Sequence, residues 1–179
     1  MIERLVKGIE SLSMFIGYIG AWVIAPLVLS MVWEVLARHL FNAPTYWAYE
    51  IGYMLAGTCY LFGMAYCMKR KGHVRVDFLY DQIGPKWRAV VDIVGYTLLL
   101  LPGLIWLTFG LYEYAVEAYV SKEVSGESAW NPVIWPFRAV WVIAFVALLL
   151  QTIAEILKAL RILLGQAEEE AIEHHGAEV

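Results

Sequence analysis

The chain has 179 residues, of which 61% are hydrophobic and only 17% charged, with a formal net charge of −4. Soluble domains run at roughly 45–50% apolar and roughly 25% charged, so this composition argues against a soluble domain. The charged residues are also segregated, leaving long stretches with no ionisable group but Tyr and Cys, as expected for helices crossing a bilayer.

Arg4 and Lys7 precede the first such stretch, Ser11 to Trp33. It outlasts the roughly 7–15 apolar residues of a secretory signal, and no A-x-A site follows, so a retained helix is expected over about 12–36. Near its end Glu34 and Arg38 lie four apart on one helix face. A turn at Asn42 and Pro44 follows, then Trp47 and Glu50 open the second stretch, with a helix expected over about 47–68. Ionisable groups near the hydrocarbon cost several kcal/mol unless paired, so Arg38 is expected to bridge the first two helices to Glu50. Gly17, Ala21 and Ala25, and likewise Ala48, Gly52 and Ala56, recur every four residues and predict close helix packing. Cys59 and Cys67 both fall in the second apolar stretch and are read as packing residues.

After the second helix comes KRKGHVRVD, with His73 and Asp77, followed by an apolar and polar alternation at helical spacing that predicts an amphipathic interfacial helix over about 74–84. Pro85 opens a long third helix, about 87–119, with a kink expected at Pro102. Glu113 and Glu117, on one face of that helix, and Glu123 and Glu127 beyond it make this outer side acidic, and ESAWNPVIWPFR brings Trp130, Pro132, Trp135 and Pro136 to the start of a fourth helix, about 133–163. The chain thus reads as one membrane domain, 1–164, with an acidic tail, 165–179, in which His174 and His175 are solvated.

Four spans put both termini on one side. Arg4, Lys7, Lys69, Arg70, Lys71, Arg75, Lys86, Arg88, Lys158 and Arg161 fall on that side, against Arg38, Lys122 and Arg138 on the other. Basic residues accumulate in cytoplasmic loops, which predicts cytoplasmic N and C termini. The fold class expected is therefore all-α integral membrane, with four transmembrane helices and one short interfacial helix. A transmembrane barrel is excluded, because runs such as VWVIAFVALLL are apolar on every side instead of alternating.

Motifs for ATP hydrolysis (GxxxxGK[ST]), zinc hydrolysis (HExxH), a serine nucleophile (GxSxG) and haem attachment (CxxCH) do not occur. No catalytic, substrate-binding or metal site is expected in the chain, and no cofactor or nucleic-acid partner. Two other classes fit the sequence less well. An autonomous small transporter or channel would need a polar midplane path, where the sequence offers mainly Ser30, Thr58, Thr97 and Thr108. A membrane anchor of a redox enzyme would need facing His pairs, yet His39 and His73 belong to opposite surfaces.

The segments RHLFNAPTYWAYE, GHVRVD and ESAWNPVIWPFR, the last followed by an apolar run closing near Gln151, resemble in order and spacing the DctQ-type small membrane subunit of tripartite ATP-independent periplasmic (TRAP) transporters. The resemblance covers roughly Leu12 to Leu164. It implies a non-enzymatic subunit in the bacterial inner membrane that braces a large permease subunit and works with a periplasmic substrate-binding protein in organic acid uptake. The sodium or proton gradient that drives uptake would be used by the complex and not bound here. Glu34, Arg38, Asn42, Pro44, Trp47, Glu50, His73, Asp77, Trp130, Pro132, Trp135 and Pro136 are the implied structural or interface positions.

Overall fold

The computed structural model describes residues 2–70, 72 and 84–165. The expected interfacial helix, with His73 and Asp77, and all but the first residue of the acidic tail lie outside the described residues.

Four helices are long and apolar enough to cross a membrane: Ile2–Leu40, Ala48–Lys69, Trp87–Ser121 and Trp135–Leu163. They alternate in direction, so one end of the bundle, the terminal face, carries residues 2, 70, 84 and 165, and the other, the loop face, carries the turns after Leu40 and Ser121. The first span divides at Val23 into Ile2–Trp22 and Ile24–Leu40, because Pro26 has no N–H to give the carbonyl of Trp22. The helical path is kept by Val23 N–H to Ile19 O, 3.0 Å, and Leu27 N–H to Val23 O, 3.2 Å. In the third span Pro102 poses the same problem. Here the chain answers with a π-helical segment, Gly95–Leu100, in which the Leu101 N–H reaches back five residues to Tyr96 O.

The second and fourth spans form the centre. The lower half of the first span packs on both, its upper half packs mainly on the second, and the third packs mainly on the fourth. The residues that vanish at these contacts are small: Ala48, Ala65, Ala118, Ala144, Ala147 and Ala154 are all at most 2% exposed. Lipid is as apolar as leucine, so helices associate in it through close van der Waals approach, which small side chains permit. One cluster joins Ile16, Phe62, Ala65, Ala144 and Ala147, and a second joins Met68, Leu104 and Leu148. The bulky residues point the other way, with Trp22, Tyr60, Leu99 and Trp106 nearly four-fifths exposed. In water such a surface would aggregate; in a bilayer it is the solvated face.

The small-residue stripes are used only in part. Gly17 lies against Tyr66 and Gly20 against Phe62, while Ala21 and Ala25 face outward. The helices cross, so the contact line leaves the four-residue repeat and follows Ser13, Ile16, Gly17 and Gly20 instead. On the second span Ala48 and Gly52 are buried and Ala56 is half-buried.

Candidate functional site: polar clamps between the spans

Polar side chains inside an apolar bundle mark where sequence has been spent on something other than packing. They gather in three places.

The first is the turn between the first two spans. Asn42 adopts the left-handed conformation, φ 49, which asparagine enters at little cost, and the Ala43 N–H returns to Ala37 O at 3.0 Å to close the helix. Glu34 accepts from Arg38 Nε at 3.0 Å and from Arg38 NH2 at 2.5 Å, and its other oxygen accepts from the Thr45 N–H at 2.9 Å and from the Thr45 hydroxyl. Pro44 is exposed and Trp47 is half-buried at the helix start. The expected bridge from Arg38 to Glu50 is not formed. Glu34 lies one turn away on the same helix and takes the guanidinium, which stays 62% exposed.

Glu50 turns inward instead. It is fully buried and its Oε1 accepts from the hydroxyl of Ser128, in the loop between the third and fourth spans. That loop is closed by an antiparallel bridge between Val124 and Val133, with Ser125 N–H to Pro132 O at 2.9 Å and Ile134 N–H to Glu123 O at 3.0 Å. Asn131, also left-handed at φ 46, accepts from the Gly126 N–H at 2.7 Å. The Trp130 N–H donates to Ser128 Oγ at 3.1 Å, so the loop presents that hydroxyl to Glu50 from a fixed position. Trp135 packs edge-on to Tyr119, 5.4 Å between centroids, and Pro136 sits in the first turn of the fourth span.

The second place is Arg138, one turn into the fourth span and 3% exposed. Its NH1 and NH2 grip the two oxygens of Glu123 at 2.7 and 2.5 Å. NH2 also donates to the Tyr114 hydroxyl at 2.7 Å and NH1 to the Tyr114 carbonyl at 3.3 Å, with the guanidinium carbon 3.4 Å from the Tyr114 ring centroid. This two-pronged geometry needs arginine, and it fastens the third span to the fourth.

The third place is inside the terminal half of the bundle. The Ser13 hydroxyl donates to Gln151 Oε1 at 2.7 Å, and Gln151 Nε2 donates to Glu155 Oε1 at 2.9 Å. Lys158 Nζ bonds Glu155 at 2.6 Å and Glu10 at 2.8 Å, and Lys69 approaches Glu10 at 3.7 Å. Ser13, Gln151 and Thr152 are at most 1% exposed. The chain of bonds joins the first, second and fourth spans and ends at the terminal face. Sequence reasoning passed over Gln151 and Glu155. Their signal was one helix face of the last span, Ala144, Ala147, Gln151, Ala154, Glu155 and Lys158, small or polar within an otherwise bulky apolar run.

These groups bond largely to each other, with Glu50 Oε2 left without a partner. Among the described residues no group of three His, Cys, Asp or Glu side chains is gathered to hold a metal ion.

Comparison with known proteins follows the same lines. The family described as the DctQ component of tripartite ATP-independent periplasmic transporters matches residues 27–162. The sialic acid TRAP transporter small permease protein SiaQ of Vibrio cholerae is 28% identical over 88 residues, 49% of this chain and 47% of that protein. The sialic acid TRAP transporter permease protein SiaT of Haemophilus influenzae is 23% identical over 114 residues, 64% of this chain but 18% of that protein. The chain thus matches about half the length of the first relative and far less of the second. With four membrane-spanning helices and a match across three-quarters of its length, the chain belongs to the DctQ-component family of TRAP transporters and is a multi-pass protein of the inner membrane.

Proposed function

We propose that this chain is the small membrane subunit of a TRAP-type secondary transporter for organic acids, bracing a large permease subunit and working with a periplasmic substrate-binding protein. The observation that carries this reading is the family match over residues 27–162. A physical reason supports it: the buried polar side chains are largely spent on fastening span to span, which suits a rigid brace and leaves no polar path for a solute among the described residues. On this reading the chain has no enzymatic step and no cofactor of its own, and substrate and coupling ion belong to the large subunit. Both relatives are named for sialic acid, which is consistent with an organic acid as cargo. A brace must resist being dragged through the bilayer, and the long third span and outward tryptophans anchor it there.

Affinity purification tests the partnership. With the large permease subunit of the same system co-expressed and this chain tagged, the two should elute together in detergent in fixed ratio. Elution of this chain free of the large subunit, with both present in the membrane, would contradict the reading.

The orientation follows from the basic residues, with the terminal face cytoplasmic. Alkaline phosphatase fused after Leu164 should be inactive, and the same enzyme fused within the 122–134 loop should be active. The reverse pattern would invert the topology.

A further inference from the structure

Among the described residues three buried polar side-chain atoms lack a partner, Glu50 Oε2, Thr108 Oγ1 and Trp141 Nε1, and Glu50 is the one carboxylate of the three. Its side chain is fully buried, Ser128 bonds Oε1, and Oε2 has no partner. Arg38 and Arg138, the arginines of the loop face, are engaged by Glu34 and Glu123, and among the described residues no basic side chain bonds Glu50. Its surroundings add negative charge, since Glu127 adjoins Ser128 in the covering loop. A buried carboxylate is paired, bound to a cation or neutralised by a proton. A side chain from another protein is too large to reach a group with no exposed surface. A proton on Oε2 would exchange a missing donor for a missing acceptor, because nothing lies in place to receive it.

We propose that Glu50 and Ser128 form a site for one small, hard monovalent cation of the sodium class, held beneath the 122–134 loop. Oxygen donors alone select a hard ion, and a single carboxylate with a neutral hydroxyl balances one positive charge. The ion closes the loop onto the start of the second span. It is a fixed structural ion, separate from any ion moved during transport, and it departs from the sequence expectation that the chain holds none. It does not depend on the large subunit.

The test is thermal unfolding of the full chain, purified in detergent, with sodium chloride exchanged for choline chloride at constant total salt. A ligand that binds only the folded state raises the unfolding midpoint in proportion to its occupancy. The midpoint should therefore climb by several degrees and level off as sodium rises. Glu50→Gln should abolish the climb, and Glu117→Gln, exposed on the third span, should leave it intact. Equal midpoints in the two salts would overturn the proposal, as would a sodium response that survives Glu50→Gln. Stabilisation by acid with no response to sodium would give the site to a proton and also overturn it. Should Glu50→Gln fail to fold, equilibrium dialysis of radioactive sodium against the wild-type chain decides: one ion per chain is expected, and none refutes the site.

Discussion

Replacing Arg138 by alanine should destabilise the folded chain by about 2–4 kcal/mol, within or just below the range for breaking a buried ion pair. The guanidinium is 3% exposed, and four hydrogen bonds and a ring contact converge on it. Its loss removes the donor of the Tyr114 hydroxyl, on a residue 42% exposed, and frees Glu123. Glu123 is 42% exposed and recovers part of its solvation, which holds the effect below the upper end for fully buried pairs. Arg138→Lys should recover only part, since an ammonium cannot grip two carboxylate oxygens and lie over a ring together. Arg38→Ala provides the contrast. The Arg38 side chain is 62% exposed, and Glu34, 15% exposed, keeps its two bonds from Thr45, so a change of about 0–1 kcal/mol is expected. Unfolding of the purified variants in detergent, followed by helical circular dichroism, checks all three. Equal effects for Arg138→Ala and Arg38→Ala would remove the distinction between them.

Gly17→Leu should separate the first span from the second. A Cβ at Gly17 would lie 2.7 Å from Tyr66 Cβ, and one at Gly20 would lie 2.9 Å from Phe62 Cβ. Both neighbours are the roots of ring side chains and cannot swing away, so the helices themselves must part. Overpacking of this kind costs about 1–3 kcal/mol, and here it also strains the Ser13 to Gln151 bond one turn below. Leucine at Gly103 or Gly110, where an added Cβ meets nothing within 4 Å, should leave the isolated chain as stable as before. Disulfide trapping between cysteines at Ser13 and Gln151 in an otherwise cysteine-free chain reports the distance. The bond, which joins the first span to the fourth, should form readily with Gly17 present and slowly with Gly17→Leu, because a first span pushed off the second also leaves the fourth; equal rates would mean that added bulk at Gly17 does not move the first span.

Much of the fold was legible because a bilayer imposes a coarse rule. A helix must stay free of charge for about 20 residues, and the four charge-free runs lie within the four spans found. The turn at Asn42 was legible too, as asparagine and proline together stop a helix. The partner of Glu50 was not. Proximity across that turn suggested Arg38, whereas the true contact, Ser128, lies 78 positions away and depends on how the 122–134 loop folds back. The Gly17 contact was visible, but its continuation through Gly20 instead of Ala21 is set by helix crossing, which no repeat in one helix encodes. Gln151 was readable in principle as a polar residue on a small-residue face, yet its neighbours Leu148, Leu149 and Leu150 made the run look uniformly apolar. The functional reading rested mainly on motif order, because a brace carries no constellation of reactive groups to recognise.

The most direct measurement is uptake of radiolabelled organic acid by proteoliposomes under an imposed sodium gradient. One set holds this chain alone, a second the large permease subunit with it, and both receive the cognate substrate-binding protein outside. Uptake should equal that of empty liposomes in the first set and rise well above it in the second. Gradient-dependent uptake by this chain alone would show that a transport path lies within these four helices, contrary to the subunit role proposed for it.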